Sequence, residues 1–313
     1  MAVGTSEAGD VLEPGGDNAV AITLGILGDE WNLWILAEAL RGTCRYSDWL
    51  SRGPISNSVL TGRLARLTEA GLFERVRLVQ SPVRYQYVLT DRGRAVWPIL
   101  MAMWSWEKRW GPDGLASRMV VRHKACGSEF TPILVCAHCC EPAARDDVVV
   151  RLGPSGAGSR SIPAASSRRR SGSAARLPAH LPHTMELLGN RWSAAMLGVA
   201  FLGATRYREF EERMGASTAI VADRLRTFTG LGVFRAESAP ERSDRVTYHL
   251  TEKGWNFFPV VVGMMAWGQW WFRAPEGDAL LFWHRSCRGS FAPRLVCSEC
   301  AQPLQAREIV IGS

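Results

Sequence analysis

Tyr46-Ser-Asp-Trp-Leu-Ser-Arg-Gly-Pro-Ile-Ser-Asn-Ser-Val-Leu-Thr-Gly-Arg-Leu-Ala-Arg-Leu-Thr-Glu-Ala-Gly71 decides how this chain folds. Tyr46 to Leu50 reads as a short helix, and Ser51-Arg-Gly-Pro54 breaks it. Ser56 is placed to cap a second helix, because its hydroxyl can accept a backbone N–H of the first turn. Leu60, Leu64 and Leu67 then recur at i, i+4 and i+7, which puts them on one buried face. Gly71 ends that helix. Two strand-like runs follow, Leu72 to Val79 and Val83 to Leu89, around the turn signal Gln80-Ser-Pro82. Helix, turn, helix and hairpin is the outline of a winged helix-turn-helix.

The outline returns without insertion after a shift of 161 residues, which carries Tyr46 to Tyr207, Gly71 to Gly232 and Gly93 to Gly254. The register extends outward, pairing Gly28 with Gly189, Trp31 with Trp192, Trp106 with Trp267 and His123 with His284. So long an ungapped match means two copies of one domain, far larger than a solenoid unit. The fold class expected is α+β, mainly α: two tandem winged helices, each followed by a small zinc-ribbon-like β element. The division is a disordered acidic tail over 1–17, a winged helix over 18–115 and a ribbon over 116–151. A flexible basic linker over 152–179, a second winged helix over 180–276 and a second ribbon over 277–313 complete it.

The chain has 313 residues, 47% of them hydrophobic, enough for two cores. No apolar run reaches the length of a membrane span, and the start of the chain lacks a secretory signal, so a cytoplasmic, nucleoid-associated location is the expectation. Net charge is +7, which suits a polyanionic partner. The linker, rich in Gly, Ser, Ala and Pro, carries Arg160, Arg168, Arg169, Arg170 and Arg176. As a coil it would reach about 30 Å, enough for the repeats to pack side by side. Gly28-Asp-Glu30 interrupts the apolar segment Ala19 to Leu40, which predicts two helical pieces or one kinked helix.

After each tryptophan-rich helix stands His-x2-Cys-x9-Cys-x2-Cys: His123, Cys126, Cys136 and Cys139, then His284, Cys287, Cys297 and Cys300. Four soft or borderline donors at this spacing can close tetrahedrally on Zn²⁺ and leave no position for water, so two structural zinc sites, one per repeat, are expected. The alternatives are buried free thiols, disulfides within the Cys-x2-Cys pairs, or redox sensing through zinc release.

With the leucines inward, Ser56, Asn57, Ser58 and Thr61 face outward at the start of the second helix, with Arg63 and Arg66 on its flanks. They are the candidates for double-stranded DNA, together with Arg84 on the wing. The second copy offers Ser217, Thr218, Arg224, and Arg242 and Arg245 on its wing. It places Ala219, Ala222 and Asp223 where polar readers would stand, so it is the poorer reader. Arg63 and Arg224 have an intradomain salt bridge as their alternative role. No phosphate-cradling loop or catalytic acid pair occurs in a fitting context, so no enzyme is expected. The tryptophans offer an aromatic effector a stacking site among Trp97, Trp104, Trp106, Trp267, Trp270 and Trp271, the competing reading being plain core.

Leu27-Gly28-x-x-Trp31 and Leu188-Gly-Asn-Arg-Trp192, Arg-Leu inside the second helix, and Tyr-x-Leu-Thr-(Asp/Glu)-(Arg/Lys)-Gly after the wing resemble the HxlR family of MarR-related winged-helix regulators. The resemblance covers each repeat up to the tryptophan-rich helix. It implies a DNA-binding transcriptional regulator in which two subunits of a homodimer have become one chain, an intramolecular pseudo-dimer with the tryptophan helices at its seam. Further pairing of whole chains is left open. The cysteine found before the first helix of redox-sensing members is replaced here by Asn18 and Ala179. The alternative is a protein that binds or sequesters an aromatic small molecule on the same scaffold, with DNA binding weakened.

Overall fold

The computed structural model describes residues 9–80, 83–113, 115–143, 147–156, 160, 181–239 and 242–312. The first half opens with β1 (Asp10–Val11), then α1 (Ala19–Leu27), α2 (Glu30–Leu40), α3 (Tyr46–Arg52) and α4 (Asn57–Glu69). The wing strands β2 (Phe73–Gln80) and β3 (Val83–Leu89) follow, then α5 (Asp91–Arg94), α6 (Trp97–Trp110), α7 (Leu115–Arg118), β4 (Val120–His123), β5 (Pro132–Cys136) and β6 (Val148–Leu152). The second half repeats the order as α8 (Pro182–Leu188), α9 (Arg191–Phe201), α10 (Tyr207–Met214), α11 (Thr218–Gly230), β7 (Phe234–Ala239), β8 (Arg242–Leu250), α12 (Glu252–Trp255) and α13 (Phe258–Trp271). It ends with β9 (Phe272–Arg273), β10 (Leu280–His284), β11 (Gly289–Ser290), β12 (Pro293–Cys297) and β13 (Ile309–Gly312).

Local sequence accounts for most of these boundaries. Ser56 Oγ accepts the Val59 amide at 3.3 Å and caps α4, whose Leu60, Leu64 and Leu67 are buried. Gly71 leaves the helix with φ +72°, a left-handed turn that a side chain would strain. The α1/α2 break falls at Gly28, with a bend of 75°. Asp29 caps α2 through the Asn32 amide. A Cβ on Gly28 would fall 2.4 Å from the Leu24 carbonyl and 3.0 Å from that of Leu188, so the glycine also lets the corner of one half touch the other. Among the described residues no single helix is long and apolar enough to cross a membrane.

The halves are interleaved. α6 packs on α13, α1 of the first half on α13 of the second, and α8 of the second half on α6 of the first. Trp106 Nε1 donates to the Lys253 carbonyl at 3.0 Å, and its equivalent Trp267 donates to the Arg92 carbonyl at 3.1 Å. These bonds exchange under the 161-residue shift, as a two-fold arrangement requires. One contact breaks the symmetry. Buried Glu107 accepts the His183 and Thr184 amides at 3.0 and 2.8 Å and the Thr184 hydroxyl at 2.6 Å, capping α8 from the other half. Gly268 stands at the matching place, pressed against Thr23 so closely that a Cβ would lie 1.9 Å from its hydroxyl.

The strands after the tryptophan helices do not form two separate ribbons. β5 pairs antiparallel with β12, β4 with β13, and β10 with β6, each pair drawn from both halves. Leu134 lies opposite Leu295, its own equivalent, so the symmetry axis passes between them. The expected ribbon boundaries over 116–151 and 277–313 are corrected accordingly. A hairpin closed within one repeat would leave these edges unpaired, and pairing across the halves satisfies them.

The tail and linker are also corrected in part. β1 pairs in parallel with β9 of the other half, and Asp10 takes a 2.9 Å ion pair from Arg92 of its own half, so the start of the acidic segment is anchored. Leu152 belongs to β6, and Arg160 is buried, holding Glu276 through two hydrogen bonds and the Glu13 and Asp17 carbonyls at 3.0 and 3.2 Å. The expected tail over 1–8 and Arg168, Arg169, Arg170 and Arg176 of the linker lie outside the described residues.

Candidate nucleic-acid interface and metal centre

Apolar packing fixes α4, the second helix of the helix-turn-helix. Trp49 of α3 is fully buried and donates Nε1 to the Ile35 carbonyl at 3.3 Å, which locks α3 onto α2. The turn after α3 must pass close to Trp34, since a Cβ on Gly53 would fall 2.5 Å from Trp34 Cζ2. That close turn aims α4 outward, and Ser56, Asn57, Ser58, Thr61 and Arg66 are exposed on it. The Tyr46 hydroxyl orders two of them, lying 2.9 Å from the Asn57 carbonyl, 3.1 Å from Asn57 Oδ1 and 3.0 Å from Thr61 Oγ1. Ser58 shares a 3.2 Å hydrogen bond with Ser56.

Arg63 belongs elsewhere. It is ion-paired with Asp29 at 2.7 Å, both side chains mostly covered, and ties α4 to the N-terminus of α2. In the second half Arg224 bonds its neighbour Asp223 and the Ser193 hydroxyl, and Arg226 approaches the same carboxylate at 3.7 Å. Asp223 is thereby neutralised, but both arginines are engaged inside the domain. Ser217 and Thr218 are exposed, with Thr218 Oγ1 donating to Glu211 at 2.6 Å. Burial and then the Glu211 carboxylate push the Tyr207 hydroxyl upward, keeping it a donor to the Thr218 carbonyl. The side chains of Arg84, Arg242 and Arg245 lie outside the described residues. A wing cation not anticipated from sequence is Arg75, stacked 3.7 Å from the centre of the Tyr85 ring; its alternation with Arg77 along β2 is the signal that could have found it.

The eight His and Cys donors gather in two clusters, each crossing the halves. One holds His123 and Cys126 with Cys297 and Cys300; the other holds Cys136 and Cys139 with His284 and Cys287. Grouping four donors within each repeat is therefore corrected, the cause being the exchanged strand pairs. Within the first cluster Cys300 Sγ lies 3.3 Å and Cys126 Sγ 3.7 Å from His123 Nδ1, and Cys126 lies 3.9 Å from Cys297. In the second, Cys139 and Cys287 both lie 3.4 Å from His284 Nδ1. Donors placed tetrahedrally at zinc bond lengths stand about 3.6–3.8 Å apart, so both clusters fit that ion.

Backbone geometry agrees with the donor set. Each pair with a two-residue spacer is followed by a residue in the left-handed region: Gly127, Cys140, Arg288 and Ala301. Three of the four are not glycine and are held there against steric preference, as happens where a site over-determines the backbone. Amides turned inward by these knuckles act on the sulfurs. The Ser128 amide is the largest influence drawing the Cys126 thiol down to about 7, whereas burial pushes the Cys297 thiol up. His123 Nε2 faces away from the sulfurs, with the Glu308 carboxylate 3.9 Å off and beyond hydrogen-bond reach. His138 and Cys140 belong to neither cluster.

The six tryptophans do not form one pocket. Trp106 and Trp267 are used in the seam, Trp271 is buried, and Trp270 is 61% exposed. Trp97 and Trp104 line a cavity, and Trp34, which sequence did not single out, completes its aromatic wall.

Paired winged helices with a clasp of thiols and imidazoles define a helix-turn-helix regulator. The chain belongs to the HxlR-like helix-turn-helix family, whose model matches residues 26–114 and 187–276, more than half of its length. It is similar to an uncharacterized HTH-type transcriptional regulator of Mycobacterium tuberculosis, with 32% identity over 125 residues, 40% of this chain and 79% of that protein. The uncharacterized HTH-type transcriptional regulator YvaP of Bacillus subtilis is 36% identical over 86 residues, 27% of this chain and 80% of its own. Among solved structures, that of diamide-treated YodB from Bacillus subtilis matches with 29% identity, covering 30% of this chain and 93% of that one, at a TM-score of 0.26.

Proposed function

We propose that the protein is a sequence-specific DNA-binding transcriptional regulator that works as a pseudo-dimer within one chain, with unequal reading helices and two structural zinc ions as clasps. The observation that carries this is α4, which buries its three leucines and leaves Ser56, Asn57, Ser58 and Thr61 exposed on the opposite side. Asn57 and Thr61 suit base edges or phosphates, and Arg66 and the wing arginines suit phosphates. The second helix, with Ala219 and a paired Asp223, contributes less contact. His123, Cys126, Cys297 and Cys300 would hold one zinc ion, and Cys136, Cys139, His284 and Cys287 the other. A closed tetrahedral zinc supplies cross-linking and no chemistry of its own.

The test is a mobility shift with operator DNA selected from random sequence, at two salt concentrations. Affinity should fall steeply with salt, as counterions released from phosphates require, and Ser58→Glu with Thr61→Glu should abolish the shift without lowering the melting temperature. Specific binding that survives both glutamates would overturn α4 as the reader. A second reading, binding of an aromatic small molecule with DNA contact weakened, draws its support from the cavity beside Trp34 and from the alanines of α11.

A further inference from the structure

The interleaved halves enclose two cavities of about 360 and 380 Å³ at equivalent places, within the size range of small-molecule sites. Their walls differ. Trp34, Trp97, Trp104, Met119 and Met185 line the first, where the second has Ala195, Phe258, Met265, Leu280 and Leu24. Trp104 is 8% exposed, and its indole Nε1 is a buried donor with no hydrogen-bond partner among the described residues. An unsatisfied buried donor is costly, so a ligand that supplies an acceptor gains where it reaches that N–H.

We infer that the first cavity, and not the second, is an effector site for a flat, uncharged aromatic molecule of two or three rings carrying one hydrogen-bond acceptor. Flat indole walls and polarizable thioethers favour ring stacking and sulfur contact. The charged groups on the wall, Glu30 and Arg41, are already engaged, Arg41 with Glu38 at 2.8 Å, so an ionic ligand would lose hydration without a counter-charge.

The same wall reaches the reading helix. Trp34 abuts Gly53 in the turn that leads into α4, and Asp29, one residue before Glu30 of the cavity wall, holds Arg63 of α4. The second half has Ala195 and Met214 at the places of Trp34 and Gly53, so this connection exists once per chain, beside the better reader. The inference rests on the regulator reading for its consequence, but ligand binding itself is measured without DNA. Its failure would therefore leave the mobility-shift result untouched.

The experiment uses the zinc-loaded full chain, titrated in a calorimeter with 9-fluorenone and with fluorene, which has the same rings and no carbonyl. Fluorenone should bind at one site per chain, roughly three- to tenfold tighter than fluorene, the worth of one hydrogen bond. Trp104→Phe should remove that preference, so that the two compounds bind with equal affinity. Ala37→Phe, which fills the first cavity, should abolish binding, whereas the matched Gly198→Phe in the second cavity should not. Absence of binding by either compound, a fluorenone preference that persists in Trp104→Phe, or loss on Gly198→Phe in place of Ala37→Phe would overturn the site. Circular dichroism of both filling variants establishes that each is folded.

Discussion

Arginine 63 shows how a residue's type and place in a motif can leave its role open until its neighbours are known. On the flank of a reading helix a guanidinium suits DNA phosphate, yet Asp29 takes it at 2.7 Å with both groups largely covered. Arg63→Ala should therefore lower stability by about 2 kcal/mol, the usual worth of a charge-assisted hydrogen bond, read as a lower urea midpoint. Thr61→Ala, at an exposed position of α4, should change stability by no more than about 0.5 kcal/mol while weakening operator binding. Equal midpoints for Arg63→Ala and the parent protein would show the pair to be idle. The alternative role of an intradomain bridge was visible in sequence; its partner was not, because Asp29 is remote in the chain and stands out there only within the Gly28-Asp-Glu30 interruption.

At the scale of elements, the local pattern was legible. The leucine spacing of α4, the Ser56 cap, the break at Gly28 and the wing hairpins all follow from periodicity and turn chemistry, which act within a few residues. The tryptophan helices α6 and α13 read as apolar on nearly every side, and both are buried between the halves. What their sequence did not disclose is the fine fit, in which Gly268 of α13 admits Thr23 of α1 where Glu107 of α6 instead caps α8. Gly268→Ala should cost about 1–3 kcal/mol through overpacking, and Thr23→Ala in the same chain should recover part of it. A double-mutant cycle in urea checks this, and strict additivity would place the clash elsewhere.

For the whole molecule, the clusters make a prediction that separates two topologies. Because each cluster takes two donors from each half, Cys126→Ser with Cys300→Ser damages only one cluster, and about one zinc per chain should remain by mass spectrometry. Cys126→Ser with Cys139→Ser, both in the first half, damages both clusters and should leave almost none. Donor sets closed within each repeat would give the reverse pattern. Chelation should also lower the melting temperature of the chain as a single unit, since the clasps join the halves as well as closing their own loops.

The amino-acid sequence by itself determined the duplication, the winged helices, the helix-turn-helix within each and which eight His and Cys residues recur, since each is written in local spacing or in direct repetition. Tertiary structure alone decided which donors share a cluster, why the two cavities differ, and which segments beyond the winged helices are anchored. The physical reason is degeneracy. A strand and its duplicate carry nearly the same pattern, so β5 can satisfy its edge with its own half or with β12, and His123 can close with the cysteines of either repeat. The packing of α6 on α13, with α1 and α8 exchanged across the seam, sets where each chain segment emerges, and that geometry selects the partner from the other half.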